Sequence, residues 1–485
     1  MEFHYIKIIK QRDDIMKNDA YLNFKKQKDF FNKGFTLNID FRIKMLKKLK
    51  SSIQKYEDDV YISLEGDLGK SKFESFTTEI SSVYSEIDFH IKNLKKWSRD
   101  KLVKTPLFLF PSKSRIHYEP YGCVLIIVPW NYPFQLALIP LIGAISAGNT
   151  AMIKMSEFTE NVSHTIKHII KDAFSDDYIK VVNGGIDETT EILKQPYNMI
   201  FFTGSPKVGK IIMEAASKNL TPVILELGGK SPVIVDKSAD LKLSARKILF
   251  GKLLNLSQTC VAPDYIIIEK SVKDEFLNYV VITLKEFFED CDMTNPDTYK
   301  SMSHIINESN FKRIKSLIAN ENIIYGGYFF DDILKISPTL IDCGNVSEYV
   351  NGKIKSPVLR EEIFGPVLPV LTYSNIEDTI EYIKSDEKPL ALYLFTKDSN
   401  MEKNIINKVS YGGGCINDTV VHLSNVNLPF GGVGHSGMGS YHGKYSYEAF
   451  SHKKSILKSP LWFDLKVKYL PYTDKKFNLI KKFLK

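Results

Sequence analysis

GCVLIIVPWNYPFQLALIPLIGAISAGNTAMI, residues 122–153, carries no charged side chain over 32 positions. A membrane-spanning helix needs roughly 20 apolar residues, so the length alone would allow one. Pro129, Asn131, Pro133, Gln135 and Pro140 interrupt the run, however, where a spanning helix is more uniformly apolar. A buried βαβ unit fits better. Gly122 to Val128 reads as a strand covered on both faces. Pro129 to Pro133 breaks it as a loop, Phe134 to Ala147 reads as a helix, Gly148-Asn149 stops that helix, and Thr150 to Lys154 begins a second strand. Downstream, strand-like runs at Ile179 to Val182, Met199 to Thr203 and Pro222 to Glu226 alternate with helical stretches at His164 to Phe174 and Lys207 to Lys218. Such alternation predicts a parallel sheet wound with helices.

A second α/β region follows, with strands near Ser231 to Val235, Tyr265 to Ile268 and Val367 to Leu371, and helices near Leu241 to Leu253, Val272 to Phe288 and Ile376 to Ser385. Upstream, Glu57 to Lys96 is helical and polar, and Thr105 to Tyr118 reads as a hairpin around Pro111-Ser112 that matches neither region. No internal repeat occurs. The whole chain, 485 residues at 44% hydrophobic and 25% charged, has the composition of a folded protein of two or three domains, which excludes disorder. Sixty-five Lys and Arg against 57 Asp and Glu leave +8, short of a nucleic-acid-binding signature, so no nucleic-acid partner is expected. Five scattered cysteines (Cys123, Cys260, Cys291, Cys343, Cys415) offer neither a disulfide framework nor a CxxC metal site, which predicts a reducing, cytoplasmic setting. The start has no apolar run before a small-residue cleavage site, so the mature chain is expected to begin at Met1. Lys466 to Lys485 carries seven lysines, with Phe477, Ile480, Phe483 and Leu484 able to share one helical face. The plainer reading is a solvated tail, and the alternative is weak contact with a membrane surface, which would make the protein peripheral to a membrane.

Cys123, inside an apolar strand, reads as a buried hydrophobe. Cys260, in Asn255-Leu256-Ser257-Gln258-Thr259-Cys260, lies between a helix and a strand, where a thiol projects into a cleft. Free thiols titrate near 8.5, so a nucleophile there needs a partner. The best candidate is Glu226, which ends an apolar strand and precedes Gly228-Gly229; the structural alternative pairs it with Lys230. Strand ends of an open α/β sheet line a crevice, and paired glycines admit another group close to the backbone. Phe202 to Gly209 is strand, turn and helix start, suited to a phosphate but lacking the glycines of a dinucleotide fingerprint or a Walker loop. Lys154-Met155-Ser156-Glu157 closes a strand with a cation and a carboxylate that suit ribose hydroxyls or a surface ion pair.

Together these segments resemble the aldehyde dehydrogenase superfamily from roughly Glu57 to Lys454. The resemblance is carried by Pro129 to Pro133, Lys154 to Glu157, Phe202 to Gly209, Glu226 to Lys230, Gln258-Thr259-Cys260 and Glu361-Glu362-Ile363-Phe364-Gly365-Pro366, in the family's order and spacing. Pro429 to Gly439 with Tyr441 to Lys444 looks most like the class 3 and fatty-aldehyde branch, typically dimers acting on hydrophobic aldehydes. The resemblance implies a Rossmann-type NAD-binding domain (1–103 with 121–228 and 433–449), an α/β catalytic domain (229–432), a β bridging element for oligomerisation (104–120 with 450–458) and the basic tail (459–485). It implies that Cys260 attacks the aldehyde, Asn131 and the Cys260 N–H hold the oxyanion, and Glu226 activates water. Glu362 and Phe364 would contact the nicotinamide ribose and ring, Lys154 and Glu157 the adenosine ribose, and Gly204, Ser205, Val208 and Gly209 the pyrophosphate. NAD is the implied cofactor, with NADP tolerated, and a hydrophobic aldehyde the substrate. Two positions depart from the family: Ser257 stands where Gly is usual, and Met155 where Pro is common. His422, His435 and His442 form no metal-ligand spacing, and no metal is expected. The rival readings are a CoA-acylating relative, disfavoured by Glu226, and a silent binding protein of the same fold, disfavoured by the joint presence of Cys260, Glu226 and Asn131.

Overall fold

The computed structural model describes residues 18–350 and 356–484. The start at Met1 and the Lys485 end of the tail lie outside them. Three sheets organise the chain. The first has six strands in the order Gly437–Met438, Val223–Leu227, Met199–Gly204, Cys123–Ile127, Thr150–Lys154 and Ile179–Val182. All pair in parallel except Gly437–Met438, which runs antiparallel to Val223–Leu227 and sets Gly437 opposite Glu226. The Cys123–Ile127 strand is fully buried, as its unbroken apolar run requires, and it is flanked by the strands that lead away in opposite directions. Its carboxyl end is therefore a topological switch point, where open α/β sheets form crevices. The Pro129 to Pro133 loop leaves from that end, followed by the helix Pro133–Ala147, with proline at its first turn and Gly148 in the left-handed conformation at its end.

The second sheet has seven strands in the order Ile323–Tyr325, Thr339–Asn345, Val367–Tyr373, Tyr265–Glu269, Pro232–Val235, Ala391–Phe395 and Gly413–Ile416, parallel except for the first. Sequence reading found the three central strands and missed their flanks. Gly413–Ile416 is half glycine, and a Cβ at Gly414 would stand 1.9 Å from the Leu392 carbonyl oxygen, so glycine here permits close backbone approach.

The third sheet is antiparallel, with Lys113–Pro120 between Lys101–Val103 and Ser451–Lys458. The expected hairpin at Thr105 to Tyr118 is corrected here. Residues 105–112 form a turn containing the short helix Leu107–Leu109, and the strand starts at Lys113 with its partner at Lys101–Val103. Pro106 and Pro111 lack the N–H groups that a ladder over this stretch would need. The polar helical region upstream is also divided: Glu57–Leu68 stops at left-handed Gly69, and a wide π-type turn over Phe76–Ile80 precedes Ser81–Trp97. In the tail, Asp474–Leu484 is helical with Phe477 exposed, and among the described residues no helix is long and apolar enough to cross a membrane.

Candidate active site

After the helix Leu241–Leu253 the chain passes through Asn255, Leu256 and Ser257 with φ of 51°, 50° and 66°. This left-handed turn is stitched by Gln258. Its side-chain amide donates to the carbonyls of Asn255 (3.1 Å) and His304 (2.9 Å) and accepts from the Ile306 N–H (2.9 Å). Cys260 follows, at the wall of a cavity of about 790 Å³ lined by Tyr132, Phe288, Met302, Leu423 and Phe430 among others. Burial pushes its thiol well above the usual range, and the nearby carboxyls of Glu362 and Glu226 push the same way.

Asn131 comes to this loop from the switch point of the first sheet. Its Nδ2 donates to the Gln258 carbonyl at 3.0 Å, which uses one of two amide N–H groups and orients the other. Its own carbonyl accepts from Asn255 Nδ2 (2.8 Å) and Lys70 Nζ (3.0 Å). The Tyr132 hydroxyl meets Thr259 Oγ1 at 2.6 Å, so the two loops are tied side chain to side chain as well.

Glu226 is buried, and among the described residues neither carboxyl oxygen has a hydrogen-bond partner; burial raises its pKa well above the ordinary range. The structural alternative for it fails. Lys230 pairs with Asp264 instead and donates to the carbonyls of Val358 (3.2 Å) and Glu361 (2.8 Å). Arg313 grips the same segment through Glu361 Oε1 (2.8 Å) and the Ile363 carbonyl (2.7 Å). These contacts present Glu362, whose carboxyl lies so close to Gly228 that a Cβ there would be 2.1 Å from Oε2. Burial pushes Glu362 up to about 8, with the Asp264 carboxylate adding to it. Phe364, at φ 55°, meets Trp130 edge-on with ring centroids 5.5 Å apart.

Farther along the first sheet, the Lys154 ammonium donates to the carbonyls of Met155 (2.7 Å) and Gly184 (2.6 Å), and Glu157 lies exposed on the turn. Ser205 caps the helix Pro206–Ser217 by accepting from the Val208 N–H at 3.4 Å. Gly209 packs that helix onto its sheet, since a Cβ would stand 2.8 Å from Leu227 Cδ2, and a Cβ at Gly204 would meet the Phe202 ring at 2.5 Å. Val208 and Ile186 expose apolar surface at the starts of two neighbouring helices, and Thr203 Oγ1 is buried without a partner between sheet and helix. An exposed helix start, apolar surface beside it and a buried hydroxyl fit a nucleotide cofactor. Sequence reading missed Lys70, Glu79, Asn255, Asp264 and Arg313, whose partners lie far away in the chain.

Residues 7–456 match the aldehyde dehydrogenase family. The chain is 48% identical over 464 residues to the 4,4'-diaponeurosporen-aldehyde dehydrogenase of Staphylococcus aureus, across 95% of this chain and 98% of that one. It is 42% identical over 445 residues to the dimeric NADP-preferring aldehyde dehydrogenase of Canis lupus familiaris, across 91% and 95%. The substrate-bound structure of Staphylococcus aureus AldH superposes with a TM-score of 0.90 at 47% identity, covering 96% of this chain and 99% of that one. With a match that runs nearly end to end over the three sheets, the chain belongs to the aldehyde dehydrogenase family, in its class 3 branch, and is an NAD(P)-dependent oxidoreductase of aldehydes.

Proposed function

We propose that the protein oxidises hydrophobic aldehydes to carboxylic acids through a covalent acyl-enzyme on Cys260, with NAD(P) as the hydride acceptor. The observation that carries this reading is the attachment of the Asn131 amide to the loop of Cys260 beside one apolar cavity. The Cys260 thiol gives up its proton to water in the cavity as its sulfur bonds to the aldehyde carbon, and the carbonyl electron pair moves onto oxygen. Two donors meet that oxyanion: the free N–H of the Asn131 amide and the backbone N–H of Cys260. A bound nicotinamide, held by Glu362 and Phe364, would supply the hydride acceptor, and the acyl group would remain on Cys260 as a thioester. Glu226 then takes a proton from water as its oxygen attacks the thioester carbon, the C–S bond breaks, and acid and thiol are released. A carboxyl raised by burial is a stronger base once ionised, which suits this step.

Glu362 and Phe364 would hold the nicotinamide ribose and ring, Lys154 and Glu157 the adenosine ribose, and Gly204, Ser205, Val208 and Gly209 the pyrophosphate. The exposed Glu157 carboxylate accepts hydrogen bonds from ribose hydroxyls and repels a 2′-phosphate, which favours NAD over NADP. The division proposed is 1–103 with 121–228 and 433–449 for NAD, 229–432 for catalysis and 104–120 with 450–458 for bridging. A homodimer through the third sheet is supported by its open edges at Lys101–Val103 and Ser451–Lys458 and by exposed Leu102, Leu107 and Phe110. In a cytoplasmic enzyme, weak membrane-surface contact through the tail is supported by exposed Trp462, Leu470, Tyr472 and Phe477 among lysines.

Cys260→Ala and Glu226→Gln test the mechanism with NAD and NADP, with and without CoA. Cys260→Ala should form no NADH. Glu226→Gln should give up to one equivalent of NADH per site and then a near-flat rate, with the acyl group on Cys260 by mass spectrometry. Sustained turnover above about a tenth of wild type exceeds what loss of a general base, about 10²–10⁴-fold, allows, and would move the base elsewhere.

A further inference from the structure

We infer that Lys70 and Glu79, an ion pair sealed beneath the Asn131 loop, are positioning residues that aim the Asn131 amide at the oxyanion. Both side chains are fully buried, with Lys70 Nζ 2.5 Å from Glu79 Oε1. Each partner uses its remaining capacity on one short stretch of backbone. Lys70 Nζ donates to the Asn131 carbonyl at 3.0 Å. Glu79 Oε2 accepts from the N–H groups of Phe134 (2.9 Å) and Gln135 (3.1 Å), free donors in the first turn of the helix that begins two residues after Asn131. The Asn131 peptide is thus held by a cation at its carbonyl, while the helix after it is held by an anion at its positive end.

The chain departs from regular helix twice to build this pair. Left-handed Gly69, at φ 67°, turns Lys70 inward, and the π-type turn at Phe76–Ile80 carries Glu79. Such wide turns in helices recur at functional sites. Lys70 Nζ also lies 4.0 Å from the centroid of the Tyr132 ring, and the Tyr132 hydroxyl reaches Thr259, next to Cys260. One cation therefore touches both residues that the Pro129 to Pro133 loop sends to the Cys260 loop. Burying two charges is a poor route to stability, since apolar replacements of similar volume often do as well or better. Fixing a peptide that must donate to a transient charge is a use for which a rigid charged grip is suited, because a misplacement of about 1 Å at a reacting group can cost about 10²-fold in rate.

The inference rests on the proposed role of Asn131 as oxyanion donor, and the experiment separates the two. Lys70→Met, Lys70→Arg, Glu79→Gln, Asn131→Ala and Lys70→Met/Asn131→Ala are compared by the rate of the NADH burst and by iodoacetamide alkylation of Cys260, which needs no oxyanion donor. Asn131→Ala should slow the burst by about 10²–10³-fold, the usual cost of one lost donor. Lys70→Met and Glu79→Gln should slow it by about 10- to 100-fold while alkylation stays near wild type. Lys70→Arg, which keeps the cation, should recover part of the loss. In the Asn131→Ala background Lys70→Met should change the burst by no more than about twofold, because the amide it aims is gone.

Equal losses from Lys70→Met in both backgrounds, a burst unchanged by Lys70→Met, or alkylation falling in step with the burst would each overturn the inference. An unchanged burst in Asn131→Ala would overturn the reading of Asn131 instead, and the inference with it. If Lys70→Met does not fold, Glu79→Gln, which preserves shape, decides by the same two readouts; failure of both to fold overturns the inference in favour of a pair needed only for the fold.

Discussion

Two carboxyls, buried Glu226 and half-buried Glu362, lie near the Cys260 thiol, and desolvation holds each toward its neutral form. Glu226 was legible from its place at the end of an apolar strand before two glycines. Glu362 was not, because nothing in Glu361-Glu362 says which side chain turns inward; only the family resemblance singled it out. Its pKa of about 8 lies above the ordinary carboxyl value of 4.5, so the folded chain binds a proton that the unfolded chain releases. The sign follows from that difference. Glu362 burdens folding little below pH 4.5, and stability is lost as pH rises through about 8. Glu362→Gln keeps the shape without the ionisation. Its thermal midpoint, compared with that of wild type, should gain steadily from acid pH up to pH 8, as read by calorimetry across a pH series. A difference that stays constant with pH would mean that Glu362 titrates normally.

At the scale of elements, the segment between the helix Leu241–Leu253 and Cys260 is the most strained part of the site, with three consecutive residues other than glycine in the left-handed region. Ser257 stands where the family usually has glycine, and its hydroxyl is buried without a partner among the described residues. The sequence marked the position as a departure, but the φ of 66° that gives it meaning belongs to the folded loop. A left-handed side chain costs about 1–2 kcal/mol, partly offset by the entropy that glycine loses on folding. Ser257→Gly should therefore stabilise the chain by about 1 kcal/mol and raise its thermal midpoint, with Cys260 alkylation retained. A lower midpoint would show that the hydroxyl contributes more than the backbone strain costs. Sheet strands divide in a similar way. Ala391–Phe395, five buried residues, carries an apolar run readable from the sequence, whereas Gly413–Ile416 carries no strand signal, because its pairing depends on backbone approaching backbone.

Over the whole molecule, catalysis and the basic end are expected to be separable, since among the described residues the tail beyond Lys466 supplies none of those lining the cavity at Cys260. Deleting Lys466 to Lys485 should leave turnover of a short aldehyde within a few-fold of wild type and abolish binding to anionic vesicles at low salt. Equal vesicle binding by the truncated and full chains would remove the membrane role. The sequence by itself determined what short-range chemistry determines. The alternation of apolar strands with amphipathic helices implied wound parallel sheets, because each element must bury the face its own residues present. Cys260 and Glu226 stood out because loop position and glycine neighbours are local properties. Only the tertiary structure decided partnership and charge. It brought Lys70 to an Asn131 carbonyl 61 residues away, gave Lys230 to Asp264 and left Glu226 unpaired, and laid Gly437–Met438 against the strand of Glu226. Hydrogen-bond partners and proton affinities depend on which groups exclude water together, and that is settled by packing between segments that are distant along the chain.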